Sequence, residues 1–146
     1  MVLLALLCPA ARAQDDSCRY HGDGECDEPQ YCAAGTDTAD CSTVLDAAPA
    51  AVTVSGLRCH PGYAGEYELQ PVLKNGKPQW ARGSDHHMHW SPEYGGQWGV
   101  DDGLSEPTYI AYISSTANTP PATGTWQEYC DGTFGHSPGT TVAGQL

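Results

Sequence analysis

Positive charge is scarce in this chain: six Lys and Arg stand against eighteen Asp and Glu, for a formal net charge of −12. So acidic a chain is repelled by phosphate backbones and anionic headgroups, so nucleic acid is not an expected partner. Long hydrophobic runs are missing as well. None approaches the ~20 residues needed to cross a bilayer, and no membrane span is expected. The only asparagines, Asn75 and Asn118, lie outside N-x-S/T sequons, which removes N-glycosylation. No C-x-x-C pair occurs, so the knuckle spacing of structural zinc sites is absent. Nor is there a G-x-S-x-G elbow, a Walker loop, an H-E-x-x-H pair or a Rossmann glycine pattern. Asp101 and Asp102 are neighbours, but adjacency alone gives no acid/base geometry. The expectation is a protein that is not an enzyme.

Cysteine is what the chain has in quantity. Residues 1–13 read as a signal peptide, with an apolar run from Val2 to Cys8, then Ala11 and Ala13 before a cut at Gln14. Cys8 would leave with it. Cys18, Cys26, Cys32, Cys41, Cys59 and Cys130 remain, an even set that reads as the disulfide framework of a secreted, extracellular protein.

Four of these cysteines fall between Cys18 and Cys41, in CRYHGDGECDEPQYCAAGTDTADC. Asp23, Glu25, Asp27, Glu28, Asp37 and Asp40 are interspersed among them, with Arg19 the single base. Such a segment (14–42) cannot build an apolar core and takes its shape from disulfides. Folding draws its carboxylates together, and a pair ~4 Å apart repels by about 1 kcal/mol even in water. A dication reverses that sign, and calcium takes six to eight oxygens from carboxylates and carbonyls. Calcium is therefore the expected cofactor; the alternative is a solvated acidic surface on a disulfide knot.

Residues 43–51, small and nearly uncharged, read as a linker. Residues 52–134 hold all four tryptophans, six of the eight tyrosines and the lone phenylalanine. The expected fold class is mainly β: a small antiparallel sheet of about seven short strands, preceded by the loop-dominated disulfide module. The strands are Val52–Leu57, Gly65–Gln70, Pro78–Arg82, His87–Ser91, Gln97–Val100, Tyr109–Ser114 and Thr125–Cys130. Asn75-Gly76 is the strongest hairpin signal. Tyr67 and Leu69 alternate with Glu66 and Glu68, giving one apolar and one wet face. A Cys59–Cys130 bond would close about 70 residues and stabilise by roughly 4 kcal/mol in the chain-entropy model. No sustained helical period is present, and residues 135–146 are expected to be a flexible tail.

Two further chemistries are open in the β domain. If Met88 and Trp90 point inward, His87 and His89 share the other face about 6.6 Å apart at Cα. That pair, within the His86–His89 cluster, could hold zinc or copper, with Asp85, His60 or Asp101 completing a hydrolase site. A solvated polar face is the simpler alternative. Tyr94-Gly95-Gly96-Gln97-Trp98 could instead offer aromatic rings to a sugar.

Asp23-Gly24-Glu25-Cys26 and the closing Asp37-Thr38-Ala39-Asp40-Cys41 resemble the calcium-binding repeats of the Lin-12/Notch type, and more weakly the class A repeat of low-density-lipoprotein receptors. The close has one extra residue and lacks a glycine, and four cysteines stand in place of six, so the pairing within Cys18–Cys41 is open. By position the resemblance implies Asp37 and Asp40 as calcium ligands, then Asp23 and Asp27. The order Val54-Ser55-Gly56, Gly65-Glu66-Tyr67-Glu68-Leu69, Asn75-Gly76-Lys77-Pro78, Trp90, Trp98, Thr119-Pro120-Pro121, Gly124-Thr125-Trp126 is similar to a small module repeated in secreted and surface proteins of algae and protists. Trp80 stands where that pattern has Tyr. This likeness implies an extracellular β scaffold. The expected function is a secreted, non-enzymatic, calcium-stabilised binding or matrix module with an extracellular protein or glycan partner. A carbohydrate-binding protein is the alternative, and a zinc hydrolase the third.

Overall fold

A computed structural model describes residues 15–103 and 109–145; the expected signal peptide lies outside them. Nine antiparallel strands are found among the described residues. They are β1 (Ala51–Ser55), β2 (Gly65–Leu69), β3 (Trp80–Ala81), β4 (His87–Ser91), β5 (Gln97–Asp101), β6 (Ala111–Ser114), β7 (Gln127–Cys130), β8 (Thr133–His136) and β9 (Thr141–Gln145). They form one sheet in the order β8-β7-β6-β5-β4-β3-β2-β1-β9. The first seven follow the sequence pattern closely, so the mainly β expectation holds.

The order itself forces curvature. Laid flat, nine strands would separate β8 from β9 by about 38 Å. Only residues 137–140 join them, a reach of about 17 Å at most. The sheet is therefore curled. The join is fastened where Ser137 N–H donates to the Trp126 carbonyl at 2.8 Å and Val142 N–H to the Ala122 carbonyl at 3.2 Å. Inside the curl, cross-strand partners share one face: Val52 opposite Tyr67, Trp80 opposite Met88, Met88 opposite Val100, and Trp98 opposite Ile113. Trp80, Trp98, Trp126, Tyr67 and Met88 are wholly buried there. Such large rings supply most of the burial available to so small a sheet.

Two boundaries differ from the sequence reading. The 43–51 stretch is not a linker: Thr38–Asp46 forms a helix, α1, and Ala51 already belongs to β1. The helix carries too many β-branched residues to announce itself. It is held by tertiary contacts, with Asp16 Oδ1 accepting the Ala39 N–H at 3.0 Å and the Cys26–Cys41 bond tying its second turn. Residues 135–145 are likewise not a loose tail. Asp131 and Gly132, at φ 51° and 86°, turn β7 into β8, and β9 then adds to the free edge of β1.

The outer face of β4 and β5 is also covered. His89 is wholly buried, with its ring 5.2 Å from that of Tyr109. Tyr109 lies so close over Gly99 that a Cβ there would stand 2.2 Å from the ring. Gly99→Ala should therefore overpack this layer and cost about 1–3 kcal/mol. A thermal midpoint within 1 °C of the parent, from differential scanning calorimetry, would contradict that.

Candidate metal centre and the cleft beside it

The acidic lobe is cross-linked twice, Cys18–Cys32 and Cys26–Cys41, and the sheet once, Cys59–Cys130 as expected. The two lobe bonds interlace, each tying one end of the 18–41 segment to its middle, and so compact its acidic stretch. Asp37, just before α1, is wholly buried. Its own N–H donates to Glu28 Oε1 at 2.8 Å, and its Oδ2 accepts the Asp27 N–H at 2.9 Å. Asp40, in the first turn of α1, is buried and accepts the Gly22 N–H.

Hydrogen bonding leaves two of these oxygens unsatisfied. Asp37 Oδ1 and Asp27 Oδ2 are buried without a donor among the described residues. A buried carboxylate oxygen with no partner is costly. Burial, then the charges of Asp23, Asp37, Glu25 and Asp40, push the Asp27 pKa above the ordinary aspartate range. That ordering of causes describes acids sharing one space without a counter-charge. Of the four ligands expected from sequence, Asp27 and Asp37 are joined through the Asp27 N–H, and the charges of Asp23, Asp37 and Asp40 all act on Asp27, but among the described residues no three of these carboxylates offer oxygens within 4.8 Å of one another. Asp23 stays exposed, with Oδ1 accepting the Glu25 N–H at 2.9 Å. Glu28 joins the group unforeseen. These side chains offer carboxylate oxygen, which suits a hard cation. Cys26 and Cys41 also lie near Asp37, but both sulfurs are spent in their disulfide and offer no thiolate.

The histidine pair is arranged differently. His87 is half-buried with Nε2 3.2 Å from the Ser84 carbonyl, whereas His89 is covered by Tyr109. His86 pairs with Asp85 at 3.0 Å, and His60 stands beside Glu128. Among the described residues no group of three close metal-ligating side chains includes His87 or His89. The proposed sugar platform is also divided: Trp98 is wholly buried, with Nε1 bonded to the Ala117 carbonyl, while Tyr94 is exposed.

A cleft of about 530 Å³ opens where the acidic lobe meets the sheet. The lobe contributes Asp27, Gln30 and Tyr31, and the sheet side contributes Lys77, Trp90 and Asn118. The junction is tight, for a Cβ at Gly76 would stand 2.2 Å from the Cys26 carbonyl oxygen. Lys77 Nζ donates to the Thr116 carbonyl at 2.9 Å and to Asn118 Oδ1 at 3.0 Å, and lies 4.8 Å from the Trp90 ring centroid. Burial lowers the Lys77 pKa, against a smaller upward pull from Glu25.

The residue that sequence reasoning missed altogether is Glu128, 2% exposed on β7. It accepts the backbone N–H groups of Arg58, Cys59 and His60 at 2.8–2.9 Å and the Ser137 hydroxyl at 3.1 Å. Burial alone would raise its pKa, but these four donors outweigh it and hold the pKa below the ordinary glutamate range.

No protein-family model, curated protein or solved structure matches the chain significantly.

Proposed function

We propose that this chain is a secreted, non-enzymatic binding module whose acidic lobe is locked by calcium. The observation that carries this reading is the pair of buried carboxylate oxygens, Asp37 Oδ1 and Asp27 Oδ2, that find no donor among the described residues. Glu28 accepts the Asp37 N–H and the charge of Asp40 acts on Asp27, and a calcium ion held by these four acids would remove their mutual repulsion. Three intramolecular disulfides fit an extracellular protein. Among the described residues no helix is long and apolar enough to cross a membrane.

The test is calcium calorimetry and thermal melting of the chelator-stripped protein, with Asp37→Asn and Asp23→Asn beside it. Calcium at a hundred times its Kd should add about 2.7 kcal/mol of stability. Asp37→Asn keeps an oxygen for the Asp27 N–H, so the variant folds, but it should lose the calcium response. In chelator it should melt at or above the parent, because one of the crowded charges is gone. A purely structural Asp37 would give the opposite sign in chelator. Asp23→Asn should change little. Absence of heat and of any midpoint shift at millimolar calcium would remove the reading.

A further inference from the structure

We propose that the cleft between the acidic lobe and the sheet binds a neutral glycan chain. It deepens the reading above by naming the partner's chemistry, and shares with it only Asp27. A sugar presents two surfaces: an apolar face of C–H groups and a rim of paired hydroxyls. The first is matched by aromatic rings, the second by planar amides and carboxylates that bond two neighbouring hydroxyls at once. The cleft has both. Tyr31 is 67% exposed, yet its ring is braced edge-on by Tyr20 at a centroid distance of 6.3 Å. Trp90 forms part of the floor, with its orientation set by the Nε1 bond to the Ser115 carbonyl at 2.9 Å. Gln30, Asn118 and Asp27 lie along the same walls. Rings held this way lose little freedom when a ligand arrives. The volume falls within the range of small-molecule sites.

Charge selects among glycans. Among the described residues lining the cleft the one cation, Lys77, is already engaged by the Thr116 carbonyl, Asn118 and the Trp90 ring. Glu25 and Asp27 line the opposite side, in a chain of net charge −12. Uronates and sulfated sugars would meet carboxylates without a free counter-charge, so neutral chains are favoured. The lobe wall of the cleft, Cys26–Tyr31, includes Asp27, so calcium should help to set it.

Calorimetry of the full chain against cellohexaose, chitohexaose, xylohexaose and mannohexaose tests this, in calcium and in chelator. Hexalysine and hexagalacturonate serve as charged probes. At least one neutral hexamer should bind. Tyr31→Ala and Gln30→Ala, both at exposed positions, should each weaken it ten-fold or more with an unchanged thermal midpoint. Tyr94→Ala, outside the cleft, should leave it intact. Silence with every neutral hexamer overturns the proposal, as does binding that depends on Tyr94 instead of Tyr31, or binding of a charged probe alone. Sugar binding through Tyr31 in a protein that takes up no calcium leaves the cleft standing and removes the metal. Calcium uptake with no sugar binding does the reverse.

Discussion

Glu128→Ala should destabilise the protein by about 3–5 kcal/mol, enough to unfold a marginal domain. The reason is the asymmetry of buried hydrogen bonding. Three backbone N–H groups, from Arg58, Cys59 and His60, converge on one carboxylate, and the Ser137 hydroxyl is a fourth donor. Thr140 donates in turn to Ser137 at 2.8 Å. Removing the acceptor leaves several donors dry, and each bond to a charged group contributes about 1.5–3 kcal/mol before non-additivity. Glu128→Gln keeps the shape but turns one accepting oxygen into a donor facing donors, so it should cost less than alanine and still be clearly destabilising. The pH dependence follows from the depressed pKa. The folded protein holds this proton more weakly than the unfolded chain. Its contribution is therefore complete above the ordinary glutamate range and is lost as pH falls through the lower folded value. Urea titrations between pH 2 and 7 check both parts. The parent should lose stability on the acid side, and Glu128→Gln should flatten that limb. A parallel acid limb in the variant would show that other carboxylates govern it.

Glu128 also shows where sequence reading ran out. The seven strands were legible because alternation and Gly/Pro turns mark them, and because aromatic residues had to lie inside. The same alternation places Glu128 on the face of Trp126, two residues earlier. That phase was the available signal, and an acidic side chain there should have suggested a buried acceptor. The β7–β8 turn was written in Asp131-Gly132, a hairpin pair of the same kind as Asn75-Gly76. α1 had no comparable mark, since disulfide closure and the Asp16 contact create it and neither is a local property. In the acidic lobe, residue chemistry singled out the carboxylates of the 18–41 segment, and the fold couples Asp27 to Asp37 through a backbone hydrogen bond. Asp23 stays exposed with one oxygen held by its own loop, although its charge acts on Asp27. The cleft was invisible for a plainer reason: Tyr31 and Trp90 are 59 positions apart in sequence, and only the docking of the lobe at Gly76 makes them neighbours.

Replacing Cys59 and Cys130 together with serine should lower stability by about 4 kcal/mol, the chain-entropy value for the 71-residue separation they close. The effect should not simply add to that of Glu128. The disulfide anchors residue 59 to the end of β7, and Glu128, two residues earlier on that strand, holds the amides of residues 58–60. Both interactions fix one loop to one strand. Once the carboxylate is gone the loop has less native order for the covalent bond to enforce, and without the bond the carboxylate must collect its donors at a greater entropic cost. A double-mutant cycle on Glu128→Gln and the double serine variant should therefore show a coupling of about 1 kcal/mol or more, within the range for residues sharing one network. Denaturant midpoints with unchanged slopes give the cycle directly. Strict additivity would mean that the two fastenings act on separate parts of the fold, and that the four donors around Glu128 are organised by the sheet alone.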